Sequence, residues 1–327
     1  MKALTPLRGL AALAVLAWHA DLPVRGYLGV DLFFLLSGFV MTHAYGAMAA
    51  SAAAWLAFLK ARLARIYPVH LLVLFLLLPE LGTSPAFSPG GLVSSLVLLQ
   101  SPWHAMCWNF PSWSISAEWH AYLVFPALAA GLRTKPAGVL LRILAGCLMV
   151  VGLTGWLNHG GDITNTPIVL LRCLPEFIAG MALYRLRTLG RIPAWGQSDA
   201  AFAAAVAALV GLELVKAPEG FSVCALAVLL ICAARDGSAF ARALGWPPLA
   251  WLGEVSYSLY MAQMPVLVAL ASFAPHLGAW RHSMLFCAGS LALAAPMSRW
   301  FEFPARAWLR GLGLARATNG EPRLKGA

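Results

Sequence analysis

The sequence predicts an all-α polytopic membrane protein: about ten transmembrane helices, both termini cytoplasmic, and one amphipathic helix at the interface. Three observations lead there. Of 327 residues, 61% are apolar and 11% charged, with mean hydropathy +0.76, whereas soluble domains carry about 25% charged residues. The apolar residues gather into successive segments of spanning length. The basic residues fall mostly on one side of those segments. A net charge of +10 would also suit a nucleic-acid binder. Here, however, the cations are scattered singly, with no aromatic-interleaved patch and no finger or helix-turn-helix signature.

Candidate spans lie near 6–20, 27–46, 66–82, 115–132, 138–157, 167–187, 198–215, 220–235, 254–274 and 282–302. One set of connections carries Lys60, Arg62, Arg65, Arg133, Lys135, Arg142, Arg185, Arg187, Arg191, Arg235 and Arg242, joined by the C-terminal Arg306, Arg310, Arg316, Arg323 and Lys325. The opposite set carries only Arg25, Lys216 and Arg281. The positive-inside rule therefore places both ends in the cytoplasm. Residues 1–306 read as one membrane domain and 307–327 as a basic, disordered cytoplasmic tail.

The first segment, Leu7 to His19, is apolar except at its ends, Arg8 and His19. Lys2 and Arg8 before an apolar run resemble a cleaved leader, but the spans that follow favour a retained first helix. Eleven residues at helical pitch bring Arg8 and His19 within about 20° of a common stripe, roughly 16 Å apart. A fixed cation and an imidazole on one face of a membrane helix are costly and mark a functional candidate.

Residues 51–68 read as the interfacial helix. Trp55, Leu56, Phe58, Leu59 and Leu63 form its apolar arc, and Lys60, Arg62 and Arg65 meet headgroups or a phosphorylated cytoplasmic ligand. The connection 83–114 holds no Asp, Glu, Lys or Arg, and its middle, Leu92 to Gln100, suits a re-entrant element. Trp103, His104, Trp108 and Trp113 crowd its end, as an interfacial aromatic belt or a carbohydrate platform. Cys107, Cys147, Cys173, Cys224, Cys232 and Cys287 form no CxxC or Cys/His cluster, so neither a disulfide framework nor a zinc site is expected.

Other polar residues stand out against the apolar background. Asp31 lies across a short turn from His19, where it either orients the imidazole or caps its own helix. Gly29, Ser37 and Gly38 permit close helix packing. Ser112, Ser114, Ser116, Glu118 and His120 enter the fourth span together, and buried Glu118 needs Arg8, a histidine or a substrate hydroxyl to satisfy it. Arg172 and Glu176 are spaced for an intrahelical ion pair. Glu254, Ser256, Tyr257, Ser258, Tyr260 and Gln263 open the ninth span, and Arg299 and Glu302 close the tenth as structural charges. No nucleophile elbow, P-loop, HExxH or GxGxxG occurs. A histidine, partner carboxylates, a fixed arginine and hydroxyls suit general-base acyl transfer.

Several blocks in order carry a family resemblance: LTPLRGLAALAVLAWH, GVDLFFLLSGF, RLARIYPVHLL, WSISAEWHAYLVFP, LRCLPEFIAGMALYRL, LGEVSYSLYMAQMP and FEFP. The chain resembles the acyltransferase 3 family, integral-membrane proteins that O-acetylate surface polysaccharides and related sugars, in the form without an appended esterase-like domain. The resemblance runs from Leu4 to about Arg306. It implies transfer of an acyl group, commonly acetyl, from cytoplasmic acyl-CoA to a hydroxyl of a glycan or lipid-linked sugar, with no metal. It makes His19 the base or acyl-handling residue and puts Arg8 on the donor side, with Asp31 and Glu118 orienting or balancing them. Arg8, Arg62 and Arg65 are then the donor contacts, and Trp113, Ser116, Tyr257 and Tyr260 the acceptor contacts. Two positions depart from the family pattern: Thr5-Pro6 stand where many members have an aspartate, and Gln263 where many have a histidine. The rival class is a transporter or flippase, which intramembrane charges also suit; no inverted repeat or paired broken helices support it.

Overall fold

The computed structural model describes residues 1, 3–103, 107–158, 166, 168–194, 196, 198–235, 237–309 and 311. Among these, all regular structure is helical. The helices are α1 (Leu4–His19), α2 (Leu28–Tyr45), α3 (Ala52–Leu76), α4 (Pro89–Leu96), α5 (Gln100–Trp103), α6 (Trp113–Arg133), α7 (Ala137–Leu157), α8 (Val169–Thr188), α9 (Asp199–Leu214), α10 (Glu219–Ala233), α11 (Ala239–Leu244), α12 (Pro247–Phe273), α13 (Ala279–Pro296) and α14 (Phe303–Leu309). A π-helical turn, Met297–Glu302, joins the last two. Every expected span overlaps a helix, although 66–82 runs past the end of α3 at Leu76. Three of them, α2, α7 and α12, are long and apolar enough to cross a membrane. On α7, α9 and α13 the outer face shows Met149, Leu153, Trp156, Val210, Leu214 and Leu285 to the surroundings. Such a surface is stable against lipid and costly against water.

The site is positioned by α1, which packs between α2 and α12; α2 in turn lies along α8, and α3 closes the assembly against α6 and α12. Small residues permit these approaches. A Cβ added to Gly9 would come within 2.6 Å of the Gly253 nitrogen, so α1 and α12 touch backbone to backbone. Gly38 meets the Phe177 carbonyl and Gly180 that of Leu35 in the same way, and Gly29 lies on Ala11, as the small residues of α2 led one to expect. Serines set several helix starts: Ser51, Ser88, Ser198 and Ser238 each accept a hydrogen bond from the backbone three residues on.

Three expectations change here. The interfacial helix and the third span are one helix: Ser51 caps α3, which continues through Pro68 to Leu76. Within it Phe58 and Leu59 of the expected apolar arc are buried, but so is Arg62, while Trp55 and Leu56 are exposed. In the segment around Leu92 to Gln100, α4 ends at Leu96 and Leu98 turns with φ of 58°. The tryptophan platform is not on the surface. Trp108 is fully buried against Phe87, with its Nε1 donating to the Ser88 carbonyl at 2.8 Å, and Trp113 is buried edge-on to Phe34. The Trp103 side chain and His104 lie outside the described residues, as does residue 310 and the tail from 312 on; α14 itself extends to Leu309.

Candidate functional site

The two polar ends of α1 open into different cavities. Arg8 lines a cavity of about 210 Å³ with Ser37, Arg62, Arg65, Glu118, Tyr122, Tyr257 and Tyr260 among its walls. His19 lines a chamber of about 680 Å³ with Trp18, Asp21, Leu22, Cys107, Phe110, Gln263, Met264, Leu267 and Phe286. The two share no lining residue. In the wall of the Arg8 cavity Ser114 and Tyr260 pair through their hydroxyls at 2.8 Å, with Phe33 edge-on to the Tyr260 ring.

The Arg8 guanidinium is held by α12. Its Nε donates to Ser256 Oγ and its Nη2 to the Gly253 carbonyl, both at 2.9 Å. Arg62 donates to the Tyr45 hydroxyl at 2.8 Å, and its charge lies 5.0 Å from the Tyr45 ring centre. Its Nε is buried with no partner among the described residues. Arg65 is paired with Glu302, which also accepts from Ser258 at 2.6 Å. The π-helical turn aims Glu302 inward, and such turns recur at functional sites. Three guanidinium groups and one carboxylate line the cavity, and Glu302 behind Arg65 still leaves the cations in excess. A buried excess of positive charge favours an anionic ligand.

At the other end, His19 Nδ1 lies 2.5 Å from Gln263 Oε1, and its ring stands edge-on to Phe110 at 5.9 Å. Asp31 is not its partner. Arg172 takes both Asp31 oxygens in a buried two-point contact, Nε to Oδ1 at 2.6 Å and Nη2 to Oδ2 at 2.8 Å. This replaces both the Asp31–His19 contact and the Arg172–Glu176 ion pair expected from spacing, since a planar fork matches a carboxylate on the facing helix better than one a turn away. Both Glu176 oxygens are buried without a hydrogen-bond partner among the described residues. Asp31 therefore joins α2 to α8. Arg172→Met should destabilise the fold by about 3–5 kcal/mol, the usual cost of leaving a buried charge unpaired. The double variant with Asp31→Leu should recover most of that loss and keep acyl transfer, as read by denaturation and by product formation. Loss of transfer in a stably folded double variant would return Asp31 to the mechanism.

The remaining candidates divide clearly. Glu118 shares the Arg8 cavity, and Tyr257 and Tyr260 line it too, Tyr257 with its hydroxyl on the Ile66 carbonyl at 2.5 Å. Trp113 and Ser116 line neither cavity. The Ser116 hydroxyl lies 2.7 Å from both the Leu98 and Ser101 carbonyls and accepts from the Ser101 amide, so it braces α5 on α6. His120 bonds locally to the Ser116 carbonyl. Sequence reasoning gave no positive role to Gln263 and read Glu302 as merely structural. A signal for the first was present: Gly253, Ser256, Tyr260 and Gln263 recur at helical spacing along one stripe of α12.

Comparison with known proteins gives a consistent family. The acyltransferase domain profile matches residues 1–299. The acyltransferase MdmB of Streptomyces mycarofaciens is 31% identical over 342 aligned positions, covering 90% of this chain and 86% of that protein. Protein 2 in the picA locus of Rhizobium radiobacter is 34% identical over 172 positions, 44% of this chain and 90% of that protein. The O-acetyltransferase OatA of Staphylococcus aureus is 25% identical over 84% of this chain, which spans 51% of its length. No solved structure matches.

Proposed function

The chain belongs to the acyltransferase family, and we propose that it moves an acyl group, acetyl first among the candidates, from acyl-CoA at the Arg8 cavity to a hydroxyl of an acceptor held in the His19 chamber. The observation that carries this reading is the placement of Arg8 and His19 on one helix with each facing a separate cavity. The protein sits in the cytoplasmic membrane as a multi-pass chain of about ten spans, with the Arg8 end toward the cytoplasm, where the donor is found.

The donor side is supported by charge. Arg8, Arg62 and Arg65 provide an anion-seeking wall. At about 210 Å³ the cavity is smaller than pockets enclosing a whole drug-sized ligand, about 300–1,000 Å³, so it takes the thioester end of the donor, with the nucleotide outside. That end must travel on from this cavity to the separate His19 chamber. There the imidazole takes the proton of the acceptor hydroxyl as its oxygen attacks the thioester carbon. The carbon–sulfur bond breaks, and the departing thiolate receives the proton back from His19, leaving ester and free thiol.

The acceptor side is supported by the chamber wall. Apart from His19, Asp21 and Gln263, that wall is mainly aliphatic, aromatic and thiol or thioether. A polymer with many hydroxyls would lose water there without replacement hydrogen bonds. A hydroxyl carried on an apolar body, such as a lipid-linked sugar, suits the chamber better. Mass spectrometry of envelope lipids and glycans from cells with and without the protein tests the function. An ester-linked acyl group should appear on one component only when the protein is present. Unchanged acylation, with a sugar still crossing the membrane in a protein-dependent way, would make it a transporter instead.

A further inference from the structure

We propose that Gln263 is a positioning residue for His19: its amide oxygen fixes the neutral imidazole in the tautomer that carries its proton on Nδ1 and leaves Nε2 bare. The proposal rests on the acyl-transfer reading above and adds to it which ring nitrogen works and what holds it. An amide oxygen only accepts hydrogen bonds. With the amide oxygen facing the ring at 2.5 Å, we assign His19 Nδ1 as the donor, and the tautomer is what NMR reads below. A neutral imidazole has one N–H, so Nε2 then holds the lone pair that can take a proton.

Three features separate this from a contact of convenience. Gln263 is 2% exposed, and its Nε2 is buried with no partner among the described residues. A glutamine kept only to fill space would be replaced at lower cost by methionine or leucine of similar volume, so the site uses the amide, and its contact is with His19. The same helix holds both polar residues of α1: Ser256 and Gly253 grip Arg8, and Gln263 grips His19. The backbone contact of Gly9 on Gly253 fixes the register in which both grips form together. Finally, Asp31 is occupied by Arg172, and the Phe110 edge covers the ring. A neutral amide therefore does the orienting that a carboxylate does in hydrolase triads, without adding a fixed negative charge.

The test reads the tautomer directly. Full-length protein with ring nitrogen-15 histidine, in lipid nanodiscs, is compared by NMR with its His19→Gln variant, and the difference spectrum isolates His19 among the eight histidines. The wild type should show a protonated Nδ1 and a bare Nε2 at neutral pH. Gln263→Met should lose that preference and lower kcat for acetyl transfer from acetyl-CoA at least about tenfold, a part of the roughly 10²–10⁴-fold that a general base contributes, with donor KM unchanged. Gln263→Glu keeps an acceptor oxygen at Nδ1 and should retain the tautomer and most of the rate. Should Gln263→Met fail to fold, the wild-type spectrum and Gln263→Glu still decide. A wild type protonated on Nε2, or a Gln263→Met protein with unchanged tautomer and rate, overturns the proposal. Absence of acetyl transfer by wild type carrying the expected tautomer overturns the acyl-transfer reading instead.

Discussion

His19→Ala should lower acyl transfer by about 10²–10⁴-fold, the usual contribution of a general base, while the protein stays folded. The imidazole lines a chamber rather than a packed core, and among the described residues it makes one side-chain hydrogen bond, to Gln263, and one ring contact, edge-on to Phe110. Removing it costs little packing but takes away the group that accepts the hydroxyl proton. Product formation from labelled acetyl-CoA, read beside a denaturation midpoint, checks this. A folded His19→Ala protein with wild-type turnover would remove the imidazole from the chemistry.

Arg8→Lys should lower kcat/KM for the donor by about 10²-fold, the scale set by small misplacements at a reacting centre. Lysine keeps the charge but loses the planar fork that spans Ser256 Oγ and the Gly253 carbonyl at once. Arg62→Lys should be milder. Arg62 contacts the Tyr45 ring and hydroxyl and lines the cavity beside Arg65, without tying α1 to α12. Donor titrations of the two variants give the comparison. Equal effects would make the cavity a diffuse field of charge rather than a site with Arg8 at its centre.

Much of this architecture was legible in the sequence for a simple reason. Apolar runs in a chain with 11% charged residues have few alternatives to helices, so each expected span overlaps one. The Arg8–His19 stripe followed from pitch alone. What spacing does not contain is which distant helix meets a given side chain. Asp31 finds Arg172, 141 positions away, and no local rule points across that distance. The rule that pairs charges four apart favoured Glu176 because it sees only one helix. The amphipathic arc of 51–68 left Arg62 open to headgroups or a phosphorylated ligand, and the helix that continues past Pro68 holds that cation buried. Tryptophans show the same limit. An indole at an interface and one in the core have the same local pattern, and Trp108 and Trp113 proved to be core. Gln263 was visible as a departure from a family pattern, and its contact with His19 gives that departure a physical sense.

The central claim is that one helix presents a donor-side cation and an acceptor-side base to two separate cavities. Sealed membrane vesicles of known orientation, given labelled acetyl-CoA on one face only, test it most directly. Label should enter an alkali-labile ester in the membrane fraction when acetyl-CoA meets the face bearing the Arg8 end, and not when it meets the other. Equal labelling from both faces, or labelling only from the His19 face, would contradict the two-sided site.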